Sequence, residues 1–243
     1  DGRMGPTEVG GLYGEINTPG KTTIEFGYLY EISPRSTVKW YSVAGSIGLY
    51  PQGVNPDGAK AAYAGNLESR GIGILGITHH VNRDFSLKAH NLFAENIFNS
   101  LLVQADYAHS LKDKNKIVAG LQIIRQDALH NGGHGDPAKT YFSKGGKSQA
   151  MSARAGWENP RWKTSLNYTR ITAHGRYLMP REWGRDPFFT FLPRERNEGL
   201  GDVHAFVVKA GYSIPAWRLK TQAGFGYYDL PAASNAALNK YGM

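Results

Sequence analysis

The sequence has no cysteine among its 243 residues, which removes disulfide frameworks, thiol nucleophiles and thiolate metal sites together. No run approaches the ~20 apolar residues that a membrane helix needs. That absence argues against a helical membrane protein, but not against one that crosses with strands, whose alternation averages out their hydropathy. Acids are the scarcer charge, with 20 Asp and Glu against 28 Lys and Arg, a formal net charge of +8. Such a balance admits nucleic acid, anionic lipid or anionic solutes as partners. The opening Asp1-Gly2-Arg3-Met4 has no signal-peptide character, so any targeting segment is expected outside this sequence. Catalytic signatures are missing too. There is no Gly-x-Ser-x-Gly elbow. Gly146-Lys147-Ser148 ends like a phosphate loop, but Tyr141 stands where its first glycine belongs and no strand-loop-helix context surrounds it. Glu195 and Glu198 carry no supporting pattern for acid-base chemistry.

What is present is glycine (30 residues), aromatics (12%) and alternation. Ile24, Phe26, Tyr28, Tyr30 and Ile32 alternate with Glu25, Gly27, Leu29 and Glu31, a period of two. Phe206, Val208, Ala210, Tyr212 and Ile214 form another apolar row, as do Leu219, Ala223, Phe225 and Tyr227 opposite Arg218, Lys220 and Gln222. Met151, Ala153, Ala155 and Trp157 face away from Ser152 and Arg154, and Leu101, Val103, Ala105 and Tyr107 away from Gln104 and Asp106. The pattern predicts about ten strands, at 9–16, 22–32, 70–81, 85–98, 101–110, 116–126, 148–158, 162–174, 202–214 and 217–229.

Short turns fall at Asn17-Thr18-Pro19-Gly20, Asn82-Arg83-Asp84, Lys112-Asp113-Lys114-Asn115, Asn159-Pro160-Arg161 and Pro215-Ala216. Thr18-Pro19-Gly20-Lys21 suits a type II turn with glycine at its third position. Longer segments at 33–69, 127–147 and 175–201, with a short link at Asn99-Ser100, then all lie on the opposite edge. Short turns on one side and long loops on the other are what a transmembrane up-and-down β-barrel requires. Tyr107, Trp157, Trp162, Trp217, Tyr227 and Tyr228, near strand ends, suit the aromatic girdles of such a barrel. The fold class read from the chain is therefore all-β, an antiparallel transmembrane β-barrel, with residues 1–243 part of one barrel domain. A soluble sandwich shares the alternation but has less reason to sort its loops by edge.

Two long segments are too rich in glycine and aromatics for floppy loops: Ser36 to Gly58, with Trp40-Tyr41 and Gly45-Ser46-Ile47-Gly48-Leu49-Tyr50, and Arg176 to Gly199, with Arg181-Glu182-Trp183-Gly184-Arg185-Asp186-Pro187-Phe188-Phe189. With these segments the chain resembles the OprD family of outer-membrane porins, particularly the branch seen in Bacteroidetes-type bacteria. The resemblance implies a monomeric barrel of about eighteen strands, located in the bacterial outer membrane among lipid and lipopolysaccharide. It implies loops folded into the lumen and a ladder of basic side chains guiding small carboxylate-bearing, anionic or zwitterionic solutes. Against that size, about ten strands and an end at Tyr241-Gly242-Met243 predict part of a larger barrel.

On the facing assigned by alternation, the interior carries Lys88, Arg154, Lys163, Lys209, Arg218 and Lys220, with Gln104, Gln122, Asn167 and Gln222 between them. Charges pointing outward would cost about 2–4 kcal/mol at a bilayer midplane, so mid-strand bases are expected to point inward. Asp57, Glu68, Arg181, Arg185, Asp186, Arg194 and Arg196 are candidates for constricting loops. The arginines among them either grip a carboxylate or pair internally with Glu182, Asp186, Glu195 and Glu198, the latter being the simpler expectation for buried charge. His130, His134 and Asp136 lack a fourth ligand, so no metal is assigned, nor a cofactor or catalytic residue. The basic residues are too scattered for a nucleic-acid face. The function read from the sequence is a passive diffusion channel rather than an enzyme. The competing reading is a soluble or surface β-domain binding glycans or nucleic acid, which a detergent requirement would exclude.

Overall fold

The computed structural model describes residues 6–35, 37–193 and 197–242. Its strands are β1 (Glu8–Thr18), β2 (Thr22–Ser33), β3 (Tyr41–Ser42), β4 (Ile72–His80), β5 (Phe85–Ala94), β6 (Phe98–Ser110), β7 (Lys116–Ala128), β8 (Lys147–Glu158), β9 (Trp162–Ile171), β10 (Val203–Ile214) and β11 (Leu219–Asp229). They form one sheet, entirely antiparallel, in which each long strand pairs with the next along the chain while β3 pairs only with β2. Among the described residues β1 and β11 are its edges. The ten long strands coincide closely with those predicted, because period-two alternation is a direct record of which residues share a face.

One edge carries the long loops and the short β5–β6 link, and the other carries five tight turns. Asparagine builds two of them. Asn82 Oδ1 accepts the amides of Asp84 and Phe85 (2.8 and 2.9 Å), and Asn159 Oδ1 those of Arg161 and Trp162 (2.9 and 2.7 Å). The first turn departs from expectation. The left-handed residue is Lys21 (φ 59°), not Gly20, so Pro19-Gly20-Lys21 is a three-residue hairpin loop closed by a left-handed residue rather than a type II turn. The β5–β6 link is also displaced from Asn99-Ser100. It lies at Glu95-Asn96-Ile97, where Asn96 takes φ 64°, and Asn99 and Ser100 are ladder residues opposite Phe93 and Leu92.

The two faces differ sharply. One carries the long loops, and we call it the interior. The other is bare and apolar: Leu12, Phe26, Leu75, Leu121, Met151, Leu166, Val208 and Phe225 are all exposed, Leu166 at 65% and Phe225 at 75%. Aromatic side chains flank this bare band. Tyr107, Trp157, Trp162 and Tyr212 lie toward the turn edge, and Tyr28, Tyr30, Tyr168 and Tyr227 toward the loop edge. Two predicted members leave that face. Tyr228 points inward and donates its hydroxyl to Thr190 O (3.0 Å). Ile32 is 1% exposed within the interior cluster. The register shifts between Gly10 and Gly11, where β2 spends the extra residue Tyr30. Such a bulge inverts the facing beyond it, which carries Ile32 inside.

The core consists of interior side chains and loop residues together. One cluster joins Ile32, Ile72, Ala94 and Phe98 of the strands to Val43, Ile47, Tyr63, Tyr141, Phe142 and Leu178 of the loops. The other joins Ile124, Ala150, Ile171, Val203 and Ala205 to Tyr177, Phe188 and Leu200.

Candidate functional site

Strand register fixes which residues share the interior. One row runs Thr78, Lys88, Gln104, Gln122, Ser152, Thr169, Ala205 and Tyr228. The next, toward the turns, includes Asp106, Gly120, Arg154, Asn167, Val207 and Gly226. Ser165, Lys209 and Gly224 follow, then Lys163, Gly211 and Gln222, and finally Ser213 with Lys220. Five of the predicted bases therefore lie on the interior side of their strands: Lys88, Arg154, Lys163, Lys209 and Lys220. Arg218 sits in the β10–β11 turn with left-handed backbone (φ 50°).

These bases are not equivalent. Arg154 donates to Asp106 Oδ1 at 2.7 Å and lies over the Phe189 ring at 4.6 Å. Lys209 Nζ donates to Phe189 O at 2.7 Å. Lys163 Nζ is 3.7 Å from Glu158 Oε2 with its side chain 73% exposed, a contact worth little. Lys88, Arg218 and Lys220 are exposed. The same face also carries acids. Glu15 stands opposite Glu25, which accepts the Tyr13 hydroxyl at 2.8 Å. The sheet is thus acidic at β1–β2 and basic across β8–β11. Sequence reasoning noted the bases and overlooked this lateral separation, although alternation alone puts Glu25 inside.

The loop candidates divide as well. Asp57 Oδ1 accepts the Ala59 amide (2.9 Å) in an exposed turn, and Glu68 is exposed. Asp186 is buried and accepts the Asn197 amide at 2.8 Å. Arg181 lies over the Tyr241 ring at 5.5 Å and Arg185 over Phe191 at 5.6 Å. Arg194 and Arg196, with Glu195, lie outside the described residues.

The heart of the loop layer was not foreseen. Glu198, 2% exposed, binds Lys240 Nζ at 3.2 Å and accepts the hydroxyls of Tyr141 (3.3 Å) and Tyr241 (2.7 Å). The ammonium of Lys240 is ringed by Tyr63, Tyr141 and Tyr241 at 5.2, 4.8 and 5.3 Å. Burial is the main cause pushing all three phenols above the usual tyrosine range, reinforced by the Glu198 charge. Glu182 accepts the amides of Gly48 and Tyr50 (3.0 and 2.9 Å), binding the two long segments together. Beside this network lies a cavity of about 190 Å³ lined by Val54, Tyr63, Tyr141, Arg176 and Lys240 among others. Arg176 donates to Val54 O at 2.7 Å, and burial lowers its pKa to about 10, so it stays charged at neutral pH. Sequence distance hid these contacts, since Glu198 and Lys240 are 42 residues apart.

No protein-family model matches the chain, and no curated protein matches its sequence. Solved structures do match its fold. Pseudomonas aeruginosa OccK2 (OpdF) superposes with a TM-score of 0.73 at 12% identity, covering 96% of this chain and 57% of that one. OccK8 (OprE) of the same organism gives 0.72 at 15% identity, covering 94% and 59%. The structure of OpdK with vanillate gives 0.67 at 14% identity, covering 94% and 54%. These are porins of the OprD/Occ family, and the fold of this chain is theirs. The chain spans somewhat more than half the length of each.

Proposed function

We propose that this chain forms wall and constricting loops of an outer-membrane porin, a non-enzymatic channel through which small, chiefly carboxylate-bearing solutes diffuse. The single observation that carries the reading is the contrast between the faces. The bare face would expose large apolar side chains to water along every long strand, well beyond the apolar patches that soluble monomers leave uncovered. Hydrocarbon removes that cost, and the flanking aromatics fall where interfacial residues belong. The interior is polar and carries charged side chains, as a wet lumen wall does. The same contrast counts against a soluble glycan-binding or nucleic-acid-binding domain.

Preference for anions follows from the exposed interior bases Lys88 and Lys220, since a charged wall enriches counter-ions in a narrow pore, less so at high salt. The fold likeness to OpdK, solved with the aromatic carboxylate vanillate, supports the solute class. The test is a reversal potential across a planar bilayer under a salt gradient. Anion preference is expected, weakened by Lys88→Glu with Lys220→Glu. Cation preference in the unaltered protein would refute the carboxylate reading and move attention to Glu15, Glu25 and the loop acids. Absence of any conductance would refute the channel itself.

A further inference from the structure

The segment Pro187–Leu192 crosses the interior face transverse to the strands. It meets side chains from a single register row. Gln122 on β7 donates to Pro187 O (3.0 Å), and Ser152 on β8 accepts the Phe189 amide (3.1 Å). Thr169 on β9 shares a hydrogen bond with the Thr190 hydroxyl (2.8 Å), and Tyr228 on β11 donates to Thr190 O (3.0 Å). On β10 the row holds Ala205, fully buried, with no polar group to offer.

The side-chain lengths match the span. Strands β7 to β11 are four intervals apart, roughly 19 Å at ~4.8 Å each. The three residue steps from 187 to 190 reach only about 10 Å. Long side chains, Gln122 and Tyr228, stand at the two ends, and short ones, Ser152 and Thr169, in the middle. The wall also makes room below the row. A Cβ on Gly120 would come within 2.7 Å of Phe189 Cζ, and Cβ atoms on Gly224 and Gly226 within 2.7 and 3.0 Å of Leu192. Lys209 and Arg154 close the seat from the turn side, through Phe189 O and the Phe189 ring.

We propose that Pro187–Leu192 is a docked strap that fixes the bore, and that Lys209 and Arg154 are positioning residues holding it rather than free cations guiding solute. The proposal rests on the channel reading for its consequence but not for its geometry. Lys209 is half-buried with its ammonium held against a backbone carbonyl, and Arg154 has its charge balanced by Asp106, so each acts on ion preference less than the exposed Lys220 does. Seating by hydrogen bonds to five strands makes the strap a rigid constriction and not a swinging gate.

Two measurements on the detergent-solubilised and bilayer-inserted protein test it. Hydrogen exchange should show the Phe189 amide protected, and Ser152→Ala and Lys209→Gln should each speed it by about tenfold, as loss of one anchoring hydrogen bond predicts. Lys209→Arg should restore protection, and Lys220→Gln should leave it unchanged. In bilayers, Lys209→Gln should resemble Ser152→Ala in altering single-channel conductance and current noise, and should move the reversal potential less than Lys220→Gln does. An unprotected Phe189 amide, or a Lys209→Gln variant that shifts ion preference like Lys220→Gln while the strap stays protected, would overturn the proposal. If no variant conducts, the channel reading fails while the exchange data still decide the docking.

Discussion

Lys240 and Glu198 show how much one pair can hold. With side-chain exposures of 3% and 1%, each charge depends on the other and on three tyrosines. Lys240→Met would strand a buried carboxylate, and breaking such a pair typically costs about 3–5 kcal/mol. We expect that variant to lose much of the loop layer's hydrogen-exchange protection, and Lys240→Met combined with Glu198→Gln to regain most of it. A double variant no better than the single would show that the pair is not coupled. The tyrosines add a pH dependence with a definite sign. Tyr63, Tyr141 and Tyr241 have folded pKa values raised by burial, so the folded phenols keep protons that the unfolded chain has begun to release. Their contribution is complete below the unfolded value near 10 and falls as pH climbs above it. Thermal unfolding of the loops should therefore destabilise above about pH 10, and absorbance titration should show these phenols ionising late. Ordinary titration in the folded protein would contradict their burial.

At the level of elements, each strand has an apolar row outside and a mixed polar row inside, and the two tolerate change differently. Leu166 on β9 is 65% exposed on the bare face, while Gln222 on β11 is exposed on the interior side. Leu166→Lys should reduce the yield of folded protein in lipid vesicles, read as heat-modifiable mobility on gels, by a penalty of about 2–4 kcal/mol if the site lies near the midplane. Gln222→Lys should fold like the parent. Equal behaviour of the two would mean that the bare face does not meet lipid. Alternation made these rows legible before any coordinates, because side chains of a strand can point only two ways. It failed where the backbone stopped being regular. The extra residue Tyr30 reversed Ile32, the left-handed Lys21 replaced an expected glycine turn, and Asn96 moved the β5–β6 link, since local backbone irregularities leave no periodic trace.

For the molecule as a whole, the sheet separates an apolar exterior from a loop-filled interior, and tryptophan reports on both. Trp157 and Trp162 stand on the bare face, whereas Trp183 is stacked on Phe98 within the interior cluster, with its Nε1 donating to Ser46 at 2.9 Å. Brominated lipids should quench a variant retaining only Trp157 and Trp162, and spare one retaining only Trp183. Strong quenching of Trp183 would place the interior assignment on the wrong side. The sequence alone determined the ten long strands, the sorting of turns from loops, and the side on which Lys88, Arg154, Lys163, Lys209 and Lys220 lie. These follow from local rules, a two-residue period and turn chemistry that act within a few neighbours. Only the tertiary structure decided what those bases do: that Arg154 and Lys209 seat Phe189 while Lys220 stays exposed, and that Glu198 reaches Lys240 among three tyrosines. Those pairings join segments 20 to 42 residues apart, and such contacts arise from how loops fill the space over the sheet, which no local period encodes.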